Sequence, residues 1–362
     1  MATALLRTGD ELGHGVAAGA LDALHAGLGN ALGSPVLSVE VTDTRERVYS
    51  TIRFCRVLLR DGTTRAVVVK VYKPWQNSDV SAQAELLVRD YEINTYLHRL
   101  LAGQSRFRVP TPLFHSPEHL LIATEHMAGM QLQAKLKALA RWLPGEATLQ
   151  ELEHDCRSCG EWLRHFQRLT QARASGQTDL AGMRQLIADR LEWSADAAHI
   201  PIDARQRQLI LGYFDRIAQR LAPEDLATSG THGDFFAGNV VVSREHVVGL
   251  DFVMQREGSI YSDPSYFLFQ LNTLRNKLQF RNSVVARLCN AFLGGYEPGL
   301  REETFAARPM VQLYSVFHQA MRLGRMLVLK DAPVLRRLNN RRMAAHAVST
   351  LCALALQRTG NQ

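Results

Sequence analysis

Apolar positions recur every second residue through much of the first third of the chain and with a helical period through most of the rest. Val36–Val41, Val48–Leu59 and Arg65–Tyr72 predict three strands, and Asp61-Gly62 is a dipeptide suited to the tight hairpin turn between the last two. In the third strand Val67, Val69 and Val71 face one way, and Val68, Lys70 and Tyr72 the other. Residues 10–32 predict an amphipathic helix ending at Gly33. Ser81–Leu101 predicts a second helix with Leu86, Ile93, Leu97 and Leu100 as its apolar stripe, and Leu120–His126 a further strand. Beyond Gly129 the pattern is helix and loop as far as Leu356, with one exception. Val240–Val242 and Val247–Leu250 predict a short hairpin turning at Arg244-Glu245-His246. This distribution predicts an α+β chain in two lobes, a β-rich N-lobe of residues 1–127 and a helical C-lobe of residues 128–362. There is no internal repeat.

Composition adds little to this picture and charge adds more. Hydrophobic content of 46% and charged content of 21% are ordinary for a globular protein. No apolar run reaches the roughly 18 residues of a membrane helix, and Met1–Asp10 lacks the layout of a signal peptide. Five scattered cysteines, Cys55, Cys156, Cys159, Cys289 and Cys352, fit a reducing compartment, so the cytoplasm is expected. Cys156 and Cys159 form a CxxC without a second pair, in a segment that reads as helix, and a structural role is favoured over redox or zinc chemistry. The net charge of +7 is uneven: from Pro264 onward 14 Lys/Arg stand against 4 Asp/Glu, so residues 1–263 carry −3. A solvated helical face is the favoured reading of this excess. It would also suit an anionic substrate or contact with a membrane surface, whereas no motif points to nucleic acid.

The chemistry concentrates in Thr231–Asn239 and the Asp251-Phe252 that follows. A hairpin centred on Glu245 would set Asn239 opposite Asp251 on one face, with Cβ atoms roughly 5 Å apart. An amide and a carboxylate so placed suit a hard divalent cation, and Asp234 would stand beside it without needing to bind it. A metal-held phosphate next to a free acid is the apparatus of phosphoryl transfer. Lys70, within an apolar strand, needs an anion to be tolerable there. Glu85 and Glu92 share one face of the following helix, and Glu92 is the expected partner. Other motifs lead nowhere. Gly13-His-Gly15 with Gly19 has the wrong dinucleotide spacing, no Walker A sequence occurs, and Pro117 separates His115 from His119. Arg336-Arg337 and Arg341-Arg342 read as a solvated helix face.

In their order, Lys70, Glu92, His232-Gly233-Asp234 with Asn239, and Asp251-Phe252 resemble the aminoglycoside phosphotransferase and choline kinase group of the protein-kinase-like superfamily. Val109-Pro110-Thr111-Pro112, Leu120–Gly129, Glu161–Leu169 and Asp263-Pro264-Ser265-Tyr266 are similar to further segments of that group. The resemblance implies a two-lobed protein-kinase-like fold and an enzyme that moves the γ-phosphate of ATP, or of GTP, to a hydroxyl of a small molecule. It implies Asp234 as catalytic base, Asn239 and Asp251 as ligands of Mg2+, and Lys70 on the α- and β-phosphates with Glu92 positioning it. It further implies adenine at the backbone of Glu125 to Met127, and His232 and Asp263 as supports of the catalytic loop. Two departures stand out. Thr42–Ser50, where the group cradles phosphate on glycines, contains none, leaving Ser50, Thr51, Arg45 or Arg47 to compensate. Phe267 stands where the group commonly has an aspartate. Substrate choice is expected in Leu132–Leu226 and after Pro264, and the basic balance there points to a neutral or anionic sugar, sugar phosphate or glycolipid. The alternatives are an aminoglycoside or other antibiotic kinase, a protein kinase, and a non-catalytic nucleotide-binding pseudokinase.

Overall fold

The computed structural model describes residues 19–73, 80–171, 176–196, 202–252, 255–327, 348–353 and 356. Gly13, Gly15, Arg336, Arg337, Arg341, Arg342 and the first part of the expected N-terminal helix lie outside the described residues. In chain order the elements are α1 (Ala20–Leu32), β1 (Val36–Glu46), β2 (Ser50–Leu59), β3 (Thr64–Tyr72), α2 (Val80–Leu100), β4 (Phe107–Arg108), β5 (Pro112–Ser116), β6 (Leu121–Glu125) and β7 (Met130–Gln131). There follow α3 (Leu132–Leu139), α4 (Glu146–Gln171), α5 (Leu180–Asp196), α6 (Ala204–Ala218), β8 (Thr228–Thr231), β9 (Val240–Val242), β10 (Val247–Gly249) and β11 (Arg256–Ser259). The series ends with α7 (Ser262–Asn272), α8 (Asn282–Tyr296), α9 (Glu302–Ala307) and α10 (Pro309–Leu327).

The chain forms two compact units, Met1–Lys135 with Gly238–Gln255, and Leu136–Ala237 with Arg256–Gln362. The first therefore runs past residue 127 and takes in the valine hairpin. The reason is pairing: β9 lies beside β7 and β10 beside β4, in a four-stranded sheet ordered β4-β10-β9-β7. Strands of two residues, such as β4 and β7, leave no periodic signal.

The main sheet of the first unit, ordered β1-β2-β3-β6-β5, carries a helix on each face. Val67, Val69 and Val71 meet Ala20, Leu24 and Leu28 of α1, while Leu120 and Ile122 meet Leu87 of α2. Each such side chain stabilises the fold by about 1.5–3 kcal/mol when fully buried. The segment expected as a phosphate-cradling loop is mostly strand. β1 continues to Glu46 and turns through Val48-Tyr49, with the Arg47 N–H bonded to Ser50 O at 2.8 Å.

In the second unit, α4 and α8 touch backbone to backbone. A Cβ on Gly160 would lie 2.0 Å from Phe292 O, and one on Gly295 2.0 Å from Arg157 O, so only glycine permits the approach. Cys156 and Cys159 are fully buried in α4, and burial pushes both thiols well above their ordinary range. Such thiols are inert packing groups. A second core joins α5, α6 and α10 through Ile187, Leu191, Phe214 and Leu313. Among the described residues no helix is long and apolar enough to cross a membrane.

Candidate functional site

Strand alternation puts Lys70 on the α2 face of the main sheet, where it meets two carboxylates. Its Nζ stands 3.2 Å from Asp90 Oδ2 and 3.0 Å from Asp251 Oδ1. The Tyr72 hydroxyl donates to Asp90 at 2.5 Å, and the Tyr72 ring lies 4.7 Å from the ammonium. Burial works against that charge, but Asp90 and then Asp251 outweigh it and hold Lys70 protonated well beyond the ordinary lysine range.

The acid that meets Lys70 is Asp90, where Glu92 was expected. The buried face of α2 is Gln83, Leu87, Asp90, Asn94 and Leu97, and Glu92 is exposed. Two residues along a helix is a rotation of about 200°, which takes Glu92 off that face. The expected stripe holds only in part: Leu97 is buried and Ile93 and Leu100 are half-buried, but Leu86 is exposed, and polar Asp90 and Asn94 occupy buried positions. Asp90→Asn is accordingly expected to weaken nucleotide binding by about 10-fold, a charge-assisted contact being worth roughly 1.5–3 kcal/mol. Glu92→Gln should leave it unchanged, and calorimetric titration with a non-hydrolysable nucleotide separates the two.

The hairpin holding Asn239 and Asp251 differs from expectation by one residue. Val240 pairs with Gly249, and the Leu250 N–H bonds Asn239 O at 2.9 Å, so Asn239 faces Leu250. The turn is Arg244-Glu245 alone. Ser243 N–H bonds His246 O at 3.0 Å, and Ser243 Oγ accepts from the N–H groups of Glu245 and His246 at 3.2 and 3.0 Å. A turn one residue shorter moves the register by one. Asp251 leaves the strand at φ 65°, a left-handed conformation that aspartate tolerates better than most residues, and reaches Lys70 from there. An amide oxygen and a carboxylate, close in the chain and joined by the hairpin, suit Mg2+, which takes one or two protein oxygens and completes its shell with water and phosphate. No group of three or more His, Cys, Asp or Glu side chains converges among the described residues, as a closed zinc site would require.

Ser50 is buried at the head of β2, opposite Tyr72. Arg45, expected as a substitute phosphate contact, pairs with Asp43 at 3.1 Å. At the edge of the sheet the Glu125 N–H bonds Thr111 O at 2.9 Å and the His126 N–H bonds Ala66 O at 3.0 Å, which removes both as donors to a base. Met127, buried, follows directly.

In the second unit, β8 pairs with β11 and delivers His232, Gly233 and Asp234. Gly233 has φ 81°, which a side chain would strain. The fully buried Asp263 carboxylate, at the start of α7, accepts the N–H of His232 at 2.7 Å and of Gly233 at 3.0 Å. Burial raises its pKa to about 6, with the two N–H groups working the other way. On the other side of Asp234 the fully buried Phe235 ring stacks on Trp162 of α4 at 5.3 Å and on Phe267 at 5.5 Å. The buried His232 ring lies edge-on to Trp162 at 6.5 Å. Asp234 is thus half-buried between an anchored backbone and an anchored ring. Phe267 stacks on Phe292 at 4.0 Å, so where the resembling group has an acid this chain has core. Sequence reading missed the Trp162–Phe235 clamp; the Trp162-Phe166 spacing of four on one helix face was its only trace.

The second unit also gathers cations. Burial lowers the Lys277 pKa, and the positive charges of Lys137, Arg322 and Arg141 lower it further, so each of the three acts on Lys277. The Trp142 N–H joins the segments by bonding Gln279 O at 2.6 Å, and the Arg322 guanidinium lies 5.6 Å from the Phe269 ring. Among the described residues none of the four forms an ion pair.

Residues 50–303 match the phosphotransferase enzyme family. Among solved structures, a thermostable mutant of aminoglycoside phosphotransferase APH(4)-Ia with ADP and hygromycin B is 14% identical, with a TM-score of 0.57 over 92% of this chain and 99% of that one. The streptomycin–ATP–APH(2")-IIa complex is 11% identical, with a TM-score of 0.53 over 92% and 97%. Amicoumacin kinase hAmiN with AMP-PNP, Ca2+ and Ami is 14% identical, with a TM-score of 0.50 over 85% and 87%. At these identities the likeness establishes the fold, which is protein-kinase-like: a small β-rich N-terminal region and a larger, mainly helical C-terminal one. No protein of curated function matches the sequence.

Proposed function

We propose that this chain, which belongs to the phosphotransferase enzyme family, moves the γ-phosphate of ATP to a hydroxyl of a small neutral or anionic molecule. The observation that carries the reading is Lys70, held between Asp90 at 3.2 Å and Asp251 at 3.0 Å on the α2 face of the main sheet. Lys70 binds the α- and β-phosphates and Asp90 fixes its direction, with the Met127 backbone receiving adenine. Asn239 and Asp251 would hold Mg2+, which would neutralise charge on the nucleotide phosphates. Asp234 accepts the proton of the acceptor hydroxyl. The oxygen then bonds to the γ-phosphorus as the bond to the β-phosphate oxygen breaks, and ADP leaves. His232 and Asp263 hold the loop, so the catalysis is mainly positioning and charge stabilisation.

The acceptor class rests on the four clustered cations. A polycationic antibiotic would meet repulsion from Lys137, Arg141, Lys277 and Arg322, whereas a phosphate or carboxylate on the acceptor would relieve it. The test compares kcat/KM on glucose, glucose 6-phosphate and gentamicin, in wild type and in Arg322→Glu. The expected result is preference for the neutral or anionic sugar, and a KM on glucose 6-phosphate raised by about 10-fold in the variant. Efficient phosphorylation of gentamicin alone would overturn the acceptor assignment while leaving phosphoryl transfer in place.

A further inference from the structure

A cavity of about 290 Å³ lies wholly within the second unit, among α7, α9 and α10, with Tyr213 of α6 completing its wall. Leu268, Phe269 and Phe305 give it apolar surface, and Ser265, Gln312 and Ser315 give it polar surface. Two of these polar groups are buried without a hydrogen-bond partner among the described residues: Ser265 Oγ and Gln312 Oε1, on residues each only 6% exposed. The orientation of Gln312 follows from chemistry, because its Nε2 bonds the Ala307 carbonyl at 2.9 Å and a carbonyl can only accept. Its Oε1 is therefore an acceptor in need of a donor, and leaving such a group unmet costs about 1–3 kcal/mol. Lys and Arg are absent from the lining. Its one carboxylate, Glu302, is already engaged by Arg275 at 2.7 Å and Asn272 at 3.0 Å. No lysine, arginine or uncommitted carboxylate in the lining offers a fixed counter-charge to an anion or a polycation. The volume is near the lower end of small-molecule sites, which hold roughly 300–1,000 Å³.

We propose that this cavity binds an uncharged, hydroxyl-bearing small molecule or the corresponding part of a larger one. A ligand hydroxyl donates to Gln312 Oε1, a second exchanges a hydrogen bond with Ser265 Oγ, and an apolar face of the ligand lies against Phe269 and Phe305. The site has a route to the catalytic loop. Ser265 is two residues from Asp263, and the neighbouring Tyr266 ring lies 6.2 Å from Phe236 and 5.2 Å from His318, which lines the cavity. The occupant is either the acceptor itself or a separate effector.

The experiment titrates phenyl β-glucoside and myo-inositol into the full chain without nucleotide, with spermidine as a charged control. Saturable binding of at least one neutral probe is expected, weakened about 10-fold by Gln312→Leu and by Ser265→Ala. The melting temperature of ligand-free Gln312→Leu should change little, since removal of the unmet Oε1 is offset by loss of the hydrogen bond to the Ala307 carbonyl, and Ser265→Ala, which removes only an unpartnered hydroxyl, provides a minimal second variant. Adding ATP separates the two sources. Phosphorylation of the bound probe, lost in Asp234→Ala, identifies the acceptor, and binding without phosphorylation identifies an effector. No saturable binding of either neutral probe up to about 10 mM, or equal affinity in wild type and both variants, would overturn the inference. Because binding is read without nucleotide, that failure is distinct from failure of phosphate transfer.

Discussion

Asp234→Ala should lower turnover by roughly 10²–10⁴-fold, the usual contribution of a positioned general base, while nucleotide affinity stays largely intact. The loop has anchors on both sides of that residue. Asp263 holds the N–H groups of His232 and Gly233, and Phe235 is clamped by Trp162 and Phe267. The substitution therefore removes a proton acceptor while these flanking anchors are kept. Asp251→Ala should behave in the opposite way, because it deprives Lys70 of one of its two carboxylates and removes a cation ligand. Its loss should fall on nucleotide affinity. Calorimetry with AMP-PNP and Mg2+, set beside steady-state turnover, distinguishes these outcomes. Equal loss of affinity in both variants would contradict the separate roles.

Trp162→Ala is expected to destabilise the protein by about 3–5 kcal/mol, in the range for deleting a large buried aromatic. Its side chain is 1% exposed and stacks on both Phe166 and Phe235. The effect should extend to catalysis, since the Phe235 ring loses the surface that fixes the residue after Asp234. Trp142→Ala is the matched control: Trp142 is 67% exposed, and its loss should change stability by less than about 0.5 kcal/mol. Urea denaturation followed by circular dichroism measures both. Similar destabilisation by the two variants would show that the stacked column does not hold the loop.

What the sequence disclosed follows from where periodicity is strong. The alternation of Val67, Val69 and Val71 is unambiguous, and it carries the inward direction of Lys70 with it. Asp90 was hidden for the converse reason. It shares a buried helix face with Gln83 and Asn94, and a search for apolar residues passes over three polar ones. The offset of Asn239 from Asp251 turned on whether His246 belongs to the turn, and Ser243 Oγ decides that by capping two N–H groups, a contact with no hydrophobic signature. The left-handed backbone at Asp251 then breaks the strand alternation on which the pairing argument relied. β8 and β11 escaped notice because Thr228–Thr231 and Arg256–Ser259 hold few apolar residues, although they deliver the catalytic loop. The cavity lined by Ser265 and Gln312 was not legible at all, since it arises only where α6, α7, α9 and α10 pack together.

The most direct test follows labelled phosphate from γ-labelled ATP across a panel of sugars, sugar phosphates, amino alcohols, antibiotics and lipids, with wild type beside Asp234→Ala. Label on at least one small hydroxyl compound with wild type, and none with the variant, is the predicted result. Nucleotide binding without transfer to any compound, or transfer that survives Asp234→Ala, would contradict it.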